Sequence, residues 1–201
     1  EMATALVTGI VTLMFNWTML HYVGEDGVAA VTIIMYVLMF ASSLYTGYSY
    51  GVAPMLSYYY GEQSGGKLKK LVAVSLKVIA GISLVTAAAS FLLTEPLVSV
   101  FARPENPVYE LAVTGNRICT VALFFIGFNI FASGMFTALS NGVVSAVLAF
   151  SRSFVFMLIT MIVLPLLFGV NGIWLATPVA ELMALALSAF MFFRYRGRYG
   201  Y

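Results

Sequence analysis

Charge is scarce in this sequence. Of 201 residues only 9% are Asp, Glu, Lys or Arg, against about 25% in a soluble globular domain. That shortage excludes a water-facing globule. Cysteine and histidine are nearly absent too, with one of each. Cys119 can form no internal disulfide, and His21 has no Cys/His partner at metal-ligand spacing. No excess of basic charge is present: ten Lys and Arg face eight Asp and Glu, a net charge of +2. Binding to nucleic acid is therefore not expected. What is abundant is apolar surface, at 62% of residues with a mean hydropathy of +0.98. A membrane-spanning helix needs about 20 apolar residues, so about 125 of them suffice for roughly six spans.

Turn residues divide the apolar runs into six helices. They are expected over residues 3–23, 28–60, 67–93, 108–139, 143–168 and 173–193. Breakers stand between them at Gly24-Glu25-Asp26-Gly27, Gly61 to Gly66, Ser140-Asn141-Gly142 and Gly169-Val170-Asn171-Gly172. Thr94 to Pro107, with three prolines, reads as the longest loop. Transmembrane β-strands would show alternating segments of about 10 residues, and none stand out. The fold class is an all-α membrane protein in a lipid bilayer, one lobe of six transmembrane helices.

Basic residues cluster at one end of the spans: Lys67, Lys69, Lys70, Arg194, Arg196 and Arg198. The other end holds Glu25, Asp26, Glu95 and Glu105 with Arg103. By the positive-inside rule both termini are expected on the cytoplasmic side. Trp17, Tyr22, Trp174, Tyr195, Tyr199 and Tyr201 lie near span ends and read as interfacial aromatics. Glu110 and Arg117, seven residues apart on one helix face, read as an interfacial ion pair. Pro54 is the expected kink of the long second span.

Ionisable residues inside spans are costly and point to function. Arg152 lies about 15 Å and Glu181 about 20 Å from the basic end, counting 1.5 Å per residue. Their spans are joined by a tight turn, so a midplane pair is expected. Asn129 and Asn16 fall at about the same height. The second span adds Ser49, Thr46 and a Gly47-x-x-x-Gly51 close-packing spacing. It is also rich in tyrosine, Tyr48 among them, and aromatic faces can hold an organic cation. This layer could be helix-fixing glue or a cavity for a substrate or coupling ion. No nucleophile–base pair or metal cluster is visible, so neither an enzyme nor a cofactor is expected. Gly61-x-x-x-x-Gly66-Lys67 lacks the Ser/Thr and preceding strand of a phosphate-binding loop and reads as a turn.

Gly47-Tyr48-Ser49-Tyr50-Gly51-Val52-Ala53-Pro54, then Ser57-Tyr58-Tyr59-Tyr60-Gly61-Glu62 and a Lys-rich helix start, resembles a signature of multidrug and toxic compound extrusion (MATE) transporters. Gly127-Phe128-Asn129 with Phe136 to Asn141 resembles that family's tenth span, Ser151-Arg152 its eleventh, and Gly169 to Glu181 its twelfth. The resemblance implies the C-terminal six-helix lobe of a twelve-helix antiporter. An N-terminal six-helix lobe would be missing here, in keeping with a sequence that begins at Glu1. The implied activity is export of cationic amphipathic compounds by alternating access, driven by Na⁺ or H⁺. One branch of the family places acids in the spans matching the first and fourth here. Those spans hold Asn16, and Ile126 with Asn129, which argues against a Na⁺ site wholly within this lobe. Candidate substrate- or ion-binding residues are thus Glu181, Arg152, Asn129, Asn16, Ser49 and Tyr48. The alternatives are a lipid-linked saccharide flippase, whose pyrophosphate would ask for more buried cations than Arg152, and a six-helix scaffold without transport.

Overall fold

A helix that is apolar all round has no water-facing side, and in lipid it must satisfy its backbone within the segment. The computed structural model describes residues 2–201, with side chains at residue 7 and from residue 9 onward, and among these every regular element is helical. The order is α1 (Met2–Tyr22), α2 (Glu25–Gly61), α3 (Gly65–Leu92), the short α4 (Thr94–Ser99), α5 (Pro107–Cys119), a 3₁₀ turn (Thr120–Ala122), α6 (Leu123–Ala138), α7 (Gly142–Phe150), a π-helical segment (Ser151–Phe156), α8 (Met157–Phe168) and α9 (Val170–Tyr199). Five crossings are long and apolar enough for a membrane: α2, α3, α5 with α6, α7 with α8, and α9. With the 21-residue α1 they make six long rods.

The ends follow from local chemistry. Asn106 accepts a bond from the Val108 amide, and Pro107 at the first helical position sacrifices no hydrogen bond. Asn141 does the same for α7 through Val144. Between α8 and α9, Gly169 sits at φ 56°, where a Cβ would be strained. Gly172 then lies so close to the Leu164 carbonyl that any side chain would collide with it. That closeness makes α8 and α9 antiparallel neighbours.

Several expectations need correction. Glu25 and Asp26 open α2 rather than preceding it, because acids suit a helix N-terminus. α9 runs past Phe193 to Tyr199, since Arg196 and Arg198 in its last turn suit a helix C-terminus and break nothing. The expected long loop contains α4. Arg117 pairs with Glu95 at 2.9 Å, not with Glu110, so a tertiary neighbour outcompetes the one on its own helix. Gly47 and Gly51 have no described atom against them, whereas Gly134 packs on Ser49 and Gly127 on Tyr45. α2 continues through Pro54. Trp174, at 2% exposure, is core rather than interfacial.

Trp174 packs with Phe15, Met19, Ile34 and Val98 in a cluster toward the acidic end. A second cluster toward the basic end gathers Leu56, Phe131, Phe136, Tyr199 and Tyr201. Tyr199 and Tyr201 are buried there too, not interfacial; the Tyr199 hydroxyl accepts from Asn141 Nδ2 at 2.9 Å, and Tyr201 donates to the Phe192 carbonyl at 3.1 Å. Burial, with Tyr199 beside it, holds the Tyr201 phenol above its ordinary pKa, so it stays neutral. Between the clusters, Tyr45 donates to the Leu123 carbonyl at 2.9 Å and meets the Thr86 hydroxyl at 2.6 Å, tying α2, α3 and α6 at one point.

Candidate functional site

Arg152 and Glu181 meet. Arg152 Nε donates to both carboxylate oxygens of Glu181, at 2.8 and 3.0 Å. Asn129 Nδ2 donates to Glu181 Oε2 at 2.8 Å and to the Glu181 carbonyl at 2.9 Å. Ser188 Oγ donates back to Asn129 Oδ1 at 3.1 Å. One network therefore links α6, the π segment and α9. A buried charge without partners would be prohibitive, and here each buried group has one.

The π segment brings Arg152 to this point. Its wider turn is unusual, and such insertions concentrate at functional sites. α9 contributes through Pro178, which has no N–H to give the Trp174 carbonyl one turn back. The Cys119 thiol donates to that carbonyl at 3.4 Å instead. This is a role for the lone cysteine that its position in an apolar run did not suggest.

Glu181 is sealed in, while Arg152 is not. Their side chains are 8% and 23% exposed. Arg152 reaches a cleft of about 1120 Å³ between α2, α6 and the π segment. Ser42, Thr46, Ser49 and Ser57 bring the α2 face to it, at steps of four, three and eight residues along one helix side. Ser133 and Thr137 face them from α6, with both hydroxyls bonded to Ser145 Oγ, at 3.0 and 2.6 Å. Arg152 is the one charged residue lining this cleft among the described residues.

At Ser42 and Ser153 the cleft meets a second pocket of about 410 Å³, between α1, α2 and α8–α9. Apart from its hydroxyls, that pocket is apolar, with Phe15, Leu38, Met157 and Trp174 in its walls. The hydroxyl-lined cleft and the apolar pocket together form an amphipathic cavity. Its two volumes fall in the range of small-molecule sites, at a few hundred to about 1,000 Å³.

Of the six candidates, Arg152, Glu181 and Asn129 come together and Ser49 lines the cleft beside Gly134. Asn16 is half-buried on α1 outside this network, and Tyr48 packs on the apolar cluster around Leu56. Ser188 went unnoticed, though it lies seven residues, about two turns, beyond Glu181 on the same helix. Of the cleft hydroxyls the sequence offered Ser49 and Thr46 but not Ser42, Ser57, Ser133 or Thr137, because a serine in a span carries no signal until its face is known. No group of His, Cys, Asp and Glu able to hold a metal ion occurs among the described residues.

Helices of this length around an amphipathic cavity define a helical lobe of an integral membrane protein. A family model described as MatE matches residues 2–163, and the chain belongs to that family. It is 24% identical over 183 residues to the multidrug export protein MepA of Staphylococcus aureus (strain bovine RF122 / ET3-1), covering 90% of this chain and 40% of the relative. The chain thus spans about two-fifths of that relative's length. A Vibrio cholerae MATE transporter, VcmN, superposes with a TM-score of 0.88 at 17% identity, over 98% of this chain and 44% of that one. An outward-facing multidrug resistance MATE family transporter of the MOP superfamily gives 0.87 at 21% identity, over 96% and 44%. A MOP superfamily transporter from Pyrococcus furiosus gives 0.87 at 20% identity, over 96% and 44%.

Proposed function

We propose that this chain forms one lobe of a multidrug exporter that moves amphipathic organic compounds, cations included, across a cell membrane. The observation that carries the proposal is the joined cavity, hydroxyl-lined around Arg152 and apolar around Trp174. An amphipathic molecule needs both environments, and neither a scaffold nor a soluble enzyme needs an open cavity inside its membrane spans. A second six-helix lobe closes the cavity from the far side and alternates with this one between inward- and outward-facing states. Transport in this reading is antiport with Na⁺ or H⁺, and the basic loops support a cytoplasmic location for both termini.

The test is export by the complete gene product that contains this chain. Expressed in an efflux-deficient bacterium, it is expected to lower accumulation of fluorescent organic cations. In proteoliposomes an imposed Na⁺ or proton gradient should drive the same movement. Unchanged accumulation across a broad panel, with the protein confirmed in the membrane, overturns the proposal.

A further inference from the structure

The ion pair is asymmetric. Glu181 stands behind Arg152, with its carboxylate bound by Arg152 Nε and Asn129 Nδ2; of the ion pair only Arg152 lines the cleft, with Asn129 beside it. Only Nε is used, and neither terminal guanidinium nitrogen bonds to a described residue. A guanidinium has five donors in a flat fork that matches a carboxylate. The pair is therefore a dipole whose positive end, still carrying unused donors, points into the cleft. With no acid on the cleft lining among the described residues, this wall attracts acceptors and disfavours a bare cation.

The α2 wall of the cleft carries no charge. Pro54 has no N–H for the Tyr50 carbonyl one turn earlier, and Tyr50 and Pro54 both line the cleft. The exposed Tyr50 ring adds a flat apolar face beside that acceptor.

We propose that the cleft selects amphipathic substrates that carry a carboxylate, zwitterions above all. The carboxylate docks on the outer edge of the Arg152 guanidinium, the ring system lies against Tyr50 and reaches toward the apolar pocket, and a cationic nitrogen turns to the Tyr50 carbonyl side. This deepens the exporter reading and rests on it for the transport step, although the docking site can be measured without transport.

Two dyes with one difference test it: rhodamine 110, a free carboxylic acid, and rhodamine 123, its methyl ester. Fluorescence anisotropy with the purified complete gene product is expected to show the acid binding about tenfold tighter, the scale of a charge-assisted bidentate bond. The paired variant Arg152→Gln with Glu181→Gln keeps neutral hydrogen-bonding groups in both places. It should erase the preference, bringing acid and ester to equal affinity. Equal or tighter binding of the ester to the unaltered protein overturns the proposal, and that comparison needs no variant to fold. A preference that survives the paired variant overturns it as well. Acid preference with no movement of either dye into proteoliposomes supports the docking site and overturns the exporter reading instead.

Discussion

Two buried polar networks stitch these helices together, and they differ in charge and in what they border. The first joins Arg152, Glu181, Asn129 and Ser188 beside the hydroxyl-lined cleft. The second, toward the acidic end, is neutral. Asn116 Nδ2 donates to Thr94 Oγ1 at 2.9 Å and to Ser90 Oγ at 3.3 Å, and Ser90 meets the Thr120 hydroxyl at 3.0 Å. It ties α3, α4, α5 and the 3₁₀ turn, and all four residues are at most 6% exposed. Ser90 borders only a groove walled by side chains such as Phe40, Leu44 and Leu97. Inside a membrane, the need for hydrogen bonds between helices explains neither the charge of the first network nor its access to a cleft. A neutral, sealed network does all that helix register requires. A charged one opening on a cleft costs more than register needs, and the surplus points to a ligand.

The largest effect expected is from Glu181→Leu, which leaves the Arg152 guanidinium without its partner and the Asn129 amide without an acceptor. A loss of about 3–5 kcal/mol is expected for breaking a buried pair on one side, read as a lower melting temperature of the complete gene product. Glu181→Gln retains an acceptor for Asn129 and should impair transport more than stability. Unimpaired transport by that variant would reduce the charged network to glue and collapse the contrast.

Gly172→Ala tests how the pair is brought together, because the new methyl would strike the Leu164 backbone and wedge α8 from α9. Overpacking of this kind costs about 1–3 kcal/mol, and dye binding should weaken along with the melting temperature. Asn116→Leu removes the centre of the neutral network. Interhelical hydrogen bonds in membranes average about 0.6 kcal/mol, so a small drop in melting temperature with normal transport is expected. Transport lost to the extent expected of Glu181→Gln would make the two networks equivalent. Smallest is Arg117→Gln: its pair with Glu95 is about half exposed, and such pairs contribute less than about 1 kcal/mol.

Depth was the part of the site that could be read from residue order. Counting 1.5 Å per residue from each span's end set Arg152, Glu181 and Asn129 at about one height, and charge complementarity did the rest. Which way a side chain faces was less accessible. Asn16 stands at the same height yet outside the network, and Tyr48 turns toward Leu56 while Tyr50, two residues on, lines the cleft. Helices apolar on every side give no amphipathic stripe from which to deduce their inner face. The same lack concealed the Asn116 network, whose partners lie 22 to 26 residues away on other elements. Arg117 shows the limit of local spacing: Glu110 was the nearer acid in sequence, Glu95 the nearer in space. Helix number was plain because turn residues punctuate lipid-spanning runs, while α9's extension and α4 depended on how helix ends are solvated.

The π-helical segment Ser151–Phe156 carries one residue more than an α-helix would need for the same turn. One extra residue is a phase shift of about 100° in facing direction. α7 and α8 therefore belong to one rod but to two rotational frames. Arg152 sits at the seam, so its azimuth is set against Glu181 without re-aiming Thr160, Met161 and Pro165 from their buried positions. A single-residue deletion in this hexapeptide would leave a smoother helix and turn either the arginine or the whole of α8 to the wrong side.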